Sequence, residues 1–133
     1  MKIQRVVSVL AVLCLLSACS FYEGYTATDG AGLKEYMKPE ALLQLTKKPD
    51  KSISIIDVRP TKAYSKGHVP TALSFPSAEI VSRLDELPLE GSYIIYCETG
   101  IRAQMVIGKL EKKGYTRLMN WGGYKRWPYP LVK

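Results

Sequence analysis

The chain has 133 residues, a mass of 14.9 kDa, 47% hydrophobic and 23% charged residues. That length suits one domain of ordinary size, and the composition excludes long disorder, collagen and a polytopic membrane protein. Three cysteines exclude a disulfide-stapled miniprotein, and the formal net charge of +7 points to an anionic partner: nucleic acid, lipid headgroup or small substrate.

Lys2 and Arg5 precede an apolar run from Val6 to Leu16. A positive start followed by a short apolar core is the pattern of an export signal. A membrane span needs about 20 apolar residues, and this run is shorter. It leads into Leu16-Ser17-Ala18-Cys19, which resembles the lipobox of bacterial lipoproteins, Leu-small-small-Cys. The resemblance implies a cleaved signal over residues 1–18 and a lipidated Cys19, with palmitate-type acyl chains as membrane anchor. One such chain anchors marginally and several anchor stably. Cys14 would leave with the signal, and Ser20 in place of Asp implies the periplasmic face of an outer membrane. An ordinary secretory signal or an uncleaved anchor is the competing reading. Loss of Lys2 and Arg5 would take the formal charge from +7 to +5. Small and polar residues dominate 20–32, so 19–32 reads as a lipidated N-terminus and flexible tether ahead of a domain over 33–133.

Within that domain Lys34 to Met37 reads as a short strand. Pro39 to Leu45 begins with proline and carries apolar residues at helical spacing, so a helix is expected there. Ser52 to Val58 is β-branched and reads as a buried strand. A short helix over Thr61 to Lys66, a turn over Gly67 to Pro70 and a short strand over Ala72 to Phe75 follow. Ser77 to Leu87 is expected to be a helix with Ile80, Leu84 and Leu87 on one face. Ser92 to Tyr96 reads as a second buried strand. Arg102 to Lys113 reads as a helix with Met105, Val106 and Leu110 inward, stopped by Gly114. Thr116 to Met119 is the last strand, and Tyr124 to Trp127 one further turn. Strands separated by helices give an α/β fold, a mostly parallel sheet with helices on both faces, and place sites beyond the carboxyl ends of the strands.

Beyond Tyr96 lies Cys97-Glu98-Thr99-Gly100-Ile101-Arg102, where strand turns into helix. A glycine-bearing loop at a helix N-terminus turns backbone N–H groups inward and makes an anion cradle. A thiol in such a cradle is stabilised as the nucleophilic thiolate, and Arg102 adds a fixed positive fork suited to an oxyanion. A cysteine at a strand end also serves as a small buried hydrophobe, so both readings of Cys97 stand on this feature alone.

The body from about Lys34 to Leu131 resembles the single-domain rhodanese family. Cys97 to Arg102 is similar to its six-residue active-site loop. Ile56-Asp57-Val58-Arg59 resembles its strand-end Asp-Val-Arg, and Gly67-His68-Val69-Pro70-Thr71-Ala72 its Gly-His-Ile-Pro-Gly-Ala turn. Asn120-Trp121-Gly122-Gly123-Tyr124-Lys125-Arg126-Trp127 looks like its Gly-Gly-x-x-x-Trp segment. The resemblance implies a three-layer rhodanese-like fold and sulfur transfer through a Cys97 persulfide, from a small sulfur-anion donor (thiosulfate or polysulfide) to a thiol or cyanide acceptor, with no cofactor and no metal. It implies that the loop from Glu98 through Thr99, Gly100 and Ile101 to Arg102 holds the persulfide and the donor. Arg59 is either a further substrate contact or structural; Asp57 orients the loop or an arginine; His68 belongs to the turn; Trp121 walls the pocket mouth.

Two residues depart from the family pattern. Thr71 stands where glycine is usual, and Glu98 places a carboxylate beside the thiol, where it repels a dianion such as thiosulfate. Related phosphatases and arsenate reductases use Cys-x5-Arg; the spacing here is Cys-x4-Arg, which favours sulfur over phosphate. A non-enzymatic persulfide carrier or partner-binding module is the alternative. The lysines are scattered and no nucleic-acid motif appears, and one His with one free Cys cannot build a protein zinc site.

Overall fold

A computed structural model describes residues 21–133, so the expectations for the export signal, Cys14 and Cys19 fall outside the described residues. Among the described residues three α-helices lie wholly in view: α1 (Pro39–Lys47), α2 (Thr61–Lys66) and α3 (Ile101–Lys112). Among the same residues four strands, β1 (Ile53–Asp57), β2 (Leu73–Ser74), β3 (Ser92–Cys97) and β4 (Leu118–Gly123), form a parallel sheet in the order β2-β1-β3-β4.

The sheet is covered on both faces because β3 alternates apolar residues without a polar side. Tyr93, Ile95 and Cys97 point to a core built with Ala103, Val106, Ile107 and Leu110 of α3 and with Ile80 and Leu87. Ile94 and Tyr96 point to the opposite core, with Leu42 and Leu45 of α1, Leu33, Trp121 and Trp127. Cys97 therefore faces the α3 layer by the two-residue period of the strand. This is the three-layer α/β architecture expected from the sequence.

Several local readings are corrected. Lys34 to Met37 lies in a 3-10 helix, Ala31–Met37, and not in a strand. Its Leu33 reaches the core, and Lys38 N–H bonds to the Glu35 carbonyl at its end. The segment over 77–87 is a 3-10 helix, Ile80–Glu86, broken by Arg83 at φ −121° and ψ 25°. Arg83 is held there from three sides: Nε donates to Glu86 at 2.6 Å, Nη1 to the Ser74 carbonyl at 3.1 Å, and the guanidinium lies over Phe75. The last strand begins two residues later than expected, at Leu118, and runs four residues further, to Gly123.

Residues 24–30 are not a solvated tether. Thr26 pairs antiparallel with Met119, Ala27 N–H bonds to the Leu118 carbonyl at 3.0 Å, and Asn120 N–H bonds to the Tyr25 carbonyl at 2.9 Å. Ala27 is only 4% exposed. The segment lies along the free side of β4, satisfying backbone groups that an edge strand leaves open. The pairing is made by main chain, so small residues suffice for it.

Candidate active site

Strand β3 carries Cys97 to the carboxyl edge of the sheet, and the chain then has three residues in which to reverse into α3. Gly100 makes the reversal at φ +92°, a left-handed conformation that glycine adopts without steric cost. The Gly100 N–H points back at Cys97 Sγ at 3.0 Å, and the Ala103 N–H, in the first turn of α3, at 3.4 Å. First-turn amides have no partner inside their own helix, so α3 offers this donor freely, together with the positive end of its dipole. Cys97 is 1% exposed, a sulfur at the floor of a cradle.

β4 clamps this loop from behind. Its buried Asn120 donates from Nδ2 to the Gly100 carbonyl at 2.9 Å and to Gln104 Oε1 at 3.1 Å, while Oδ1 accepts from Gly122 N–H at 2.9 Å. A bulge lets Ile95 pair with Asn120 but Tyr96 with Gly122, which brings two glycines against the loop. A Cβ at Gly123 would lie 2.5 Å from the Glu98 carbonyl oxygen. One at Gly100 would lie 3.1 Å from Gly122 Cα. The glycine pair is thus the complement of the Cys97 loop. Asn120 escaped the sequence reading because its place depends on the bulge; its adjacency to the glycine pair was the available signal.

Above the sulfur lies a cavity of about 450 Å³, lined by Ser77, Cys97, Glu98, Thr99, Ile101, Arg102 and Met105. Arg102 reaches it, and also lines a neighbouring cavity of about 340 Å³ with Ser77 and Pro60. Among the described residues its guanidinium makes no hydrogen bond or salt bridge. Met105 was expected inward; it is 60% exposed and forms an apolar lip with Ile101, one helical turn away. The inward positions of α3 are Ala103, Val106, Ile107 and Leu110. Trp121 does not wall the mouth. It is fully buried on the opposite face of the sheet, with Nε1 donating to the Tyr36 carbonyl at 2.8 Å and Arg126 stacked on its ring.

Arg59 lies 3% exposed and is committed to the scaffold. Its Nη2 donates to Asp57 Oδ2 at 2.7 Å and to the Gly67 carbonyl at 2.7 Å, and Nε donates to both Asp57 oxygens. Burial by itself lowers the Arg59 pKa, but the bond and charge of Asp57 outweigh it and the net direction is upward. Asp57 also accepts from Tyr96 Oη at 2.8 Å, and burial first, then this carboxylate, pushes the Tyr96 phenol up. Tyr96 Oη in turn accepts the Val69 N–H at 3.1 Å. The network ties β1, β3 and the 67–70 turn together. Its outer wall is the Tyr124 ring, 4.6 Å from the guanidinium, and Arg59 borders a second cavity of about 490 Å³ that shares Glu98 with the first. His68 holds the turn: Nδ1 meets the Tyr64 carbonyl at 2.9 Å, its ring stacks on Tyr64, and its backbone pairs with Val132. Thr71 takes φ +67°, a left-handed conformation that glycine adopts without steric cost. Among the described residues no cluster of His, Cys, Asp or Glu is placed to hold a metal ion.

A cysteine cradled at this strand–helix junction, in this strand order, defines a class, and comparison with known proteins gives it its name. The chain matches the family model "Rhodanese-like domain" over residues 38–128, and it belongs to that family. It is 32% identical over 85 residues to the putative sulfur carrier protein YrkF of Bacillus subtilis, covering 62% of this chain but 46% of that one. It is 32% identical over 76 residues to a sulfurtransferase of Allochromatium vinosum, covering 56% of this chain and 71% of the other. The crystal structure of a rhodanese-like domain protein from Staphylococcus aureus superposes with a TM-score of 0.61 at 26% identity, covering 71% of this chain and 92% of that one.

Proposed function

We propose that the protein is a sulfurtransferase that carries sulfane sulfur as a Cys97 persulfide. The observation that carries this reading is the pair of N–H donors on Cys97 Sγ, from Gly100 at 3.0 Å and Ala103 at 3.4 Å, beneath a cavity bordered by the unpaired Arg102. With thiosulfate, the Cys97 thiolate attacks the outer sulfur, the donor S–S bond breaks and sulfite leaves with its electron pair. The new terminal sulfur holds the negative charge, which backbone N–H groups stabilise. Arg102 meets the oxyanion end of the donor. An acceptor thiolate or cyanide then takes the outer sulfur, and Cys97 is regenerated as thiolate. No oxidant or reductant enters.

A carrier loaded by protein partners is the second reading, favoured by one observation. Glu98 lines both cavities beside the thiol, where a carboxylate repels a dianionic donor. Incubation of the purified full-length chain with thiosulfate or polysulfide separates the readings. An enzyme gains one sulfur atom in its mass, loses it to a thiol and turns over repeatedly; Cys97→Ser gains none. Loading by polysulfide without turnover of thiosulfate marks the carrier, and a folded sample that gains sulfur from no donor refutes both. Attachment to the membrane through an acylated Cys19, at the periplasmic face of an outer membrane, belongs to the same proposal. Cys19→Ala should release the protein from the membrane fraction.

A further inference from the structure

The second cavity, about 490 Å³, is within the usual range for a small-molecule site, and it opens on the same residue, Glu98, that borders the Cys97 cavity. Its charged rim is supplied by Lys62 and Lys66, four residues apart on one face of α2. Among the described residues neither amine has a hydrogen bond or salt bridge. Its walls are apolar, from Pro60, Ala63, Tyr124 and Leu131. Arg59 also lines it, with the guanidinium already engaged by Asp57 and Gly67, so it contributes charge and no new fork. The cleft therefore carries two amines, Lys62 and Lys66, and one carboxylate, Glu98, which is the residue next to Cys97 and borders the Cys97 cavity as well.

We propose that this cleft binds the acceptor as an anionic organic thiol, a small molecule carrying carboxylate beside its sulfhydryl. Carboxylate is drawn to Lys62 and Lys66 and repelled by Glu98, so the ligand enters in one orientation, with its sulfur passing Glu98 toward Cys97. The acceptor thiol gives its proton to the anionic outer sulfur of the Cys97 persulfide, and its thiolate then bonds to that sulfur. The S–S bond breaks with its electron pair left on Cys97 Sγ, and the proton stays on the transferred sulfur. Glu98 thus has a positive use: it weakens a dianion at the thiol and orients an acceptor whose charge lies elsewhere.

This inference rests on the sulfur-transfer reading, and two measurements on the full-length chain in detergent separate them. The first is binding of the unreactive thioether S-methylmercaptosuccinate, read from amide NMR shifts over residues 61–67. Shifts there, lost in a Lys62→Glu/Lys66→Glu variant that remains folded, support the cleft whether or not sulfur moves. The second is transfer from the loaded protein to 3-mercaptopropionate and to its neutral amide. The double variant should raise KM for the carboxylate roughly 3- to 10-fold, the scale of two exposed charge contacts, and leave the amide unchanged. Saturating thioether without shifts at 61–67, or equal KM values for acid and amide in the unsubstituted chain, overturns the proposal. Thioether binding in a chain that never loads sulfur overturns the transfer reading and the acceptor role together, leaving an anion cleft.

Discussion

Gly123→Ala tests how far the nucleophile depends on the clamp behind it. Gly123 sits at φ −92° and ψ 146°, which alanine adopts freely, so backbone strain does not enter. The added methyl meets the Glu98 carbonyl oxygen at 2.5 Å, the Glu98 carbonyl carbon at 3.2 Å and Thr99 Cα at 3.3 Å. Ordinary contact between heavy atoms begins near 3.5 Å, so strand or loop must withdraw by ~1 Å. Overpacking of this kind costs about 1–3 kcal/mol. Much of the movement falls on the loop, because the β4 side is held by the β3 pairing and by the docked residues 24–30. A ~1 Å displacement stretches the 3.0 Å Gly100 N–H contact to Cys97 Sγ to the outer limit for a sulfur acceptor and weakens it sharply. Misplacement on that scale costs ~100-fold in rate. The assay is the rate of sulfur uptake by Cys97, followed by intact mass, beside a thermal melt. Gly108→Ala is the control: nothing lies within 4 Å of its Cβ, and helix propensity predicts a gain of about 1 kcal/mol. Uptake at the unsubstituted rate in Gly123→Ala would refute the argument that the glycine pair positions the loop.

Asp57→Ala leaves Arg59 buried without its partner and Tyr96 Oη without its acceptor; unfolding in urea should show a loss of about 3–5 kcal/mol. Thr71→Gly relieves a β-branched residue at φ +67° and should raise stability by ~1 kcal/mol, less any entropy gained by the unfolded chain; a fall in the urea midpoint would contradict this. Burial raises the Tyr93 phenol, whose Oη donates to the Pro88 carbonyl, from 10.0 to about 12. The unfolded chain therefore releases this proton first, so stability is full below pH 10 and is lost as pH rises toward 12. Tyr93→Phe should flatten the decline in melts taken across that window.

The central strands were legible because β1 and β3 are β-branched runs buried on both faces, and such a run has no other stable use in this architecture. The Cys97 loop was legible because its reversal demands glycine at position 100, leaving a mark in the sequence. Residues 24–30 left no such mark: they pair through backbone and present no apolar period. Met105 failed for a different reason. It sits where the helix wheel allows either face, and it lies on the side of α3 that opens on the Cys97 cavity. Trp121 was read as a pocket wall because its neighbours are in the loop clamp, but the bulge beside it turns its ring to the other face of the sheet. Lys62 and Lys66 looked like ordinary surface lysines until the turn at 67 and the C-terminal residues closed a cleft around them.

Asn120 is bound from both sides. Its backbone N–H bonds to Tyr25 and its carbonyl accepts from Gly24, while its side chain grips Gly100. A pull on the chain at Gly24 is therefore borne by the same residue that holds the floor of the Cys97 cradle. From residue 19 to that fastening there are five residues, so any anchor at Cys19 has a leash of at most ~18 Å. Under the proposed acylation of Cys19, a domain held so short would not sweep a wide volume in search of its substrates; it would meet those that come to the anchoring surface.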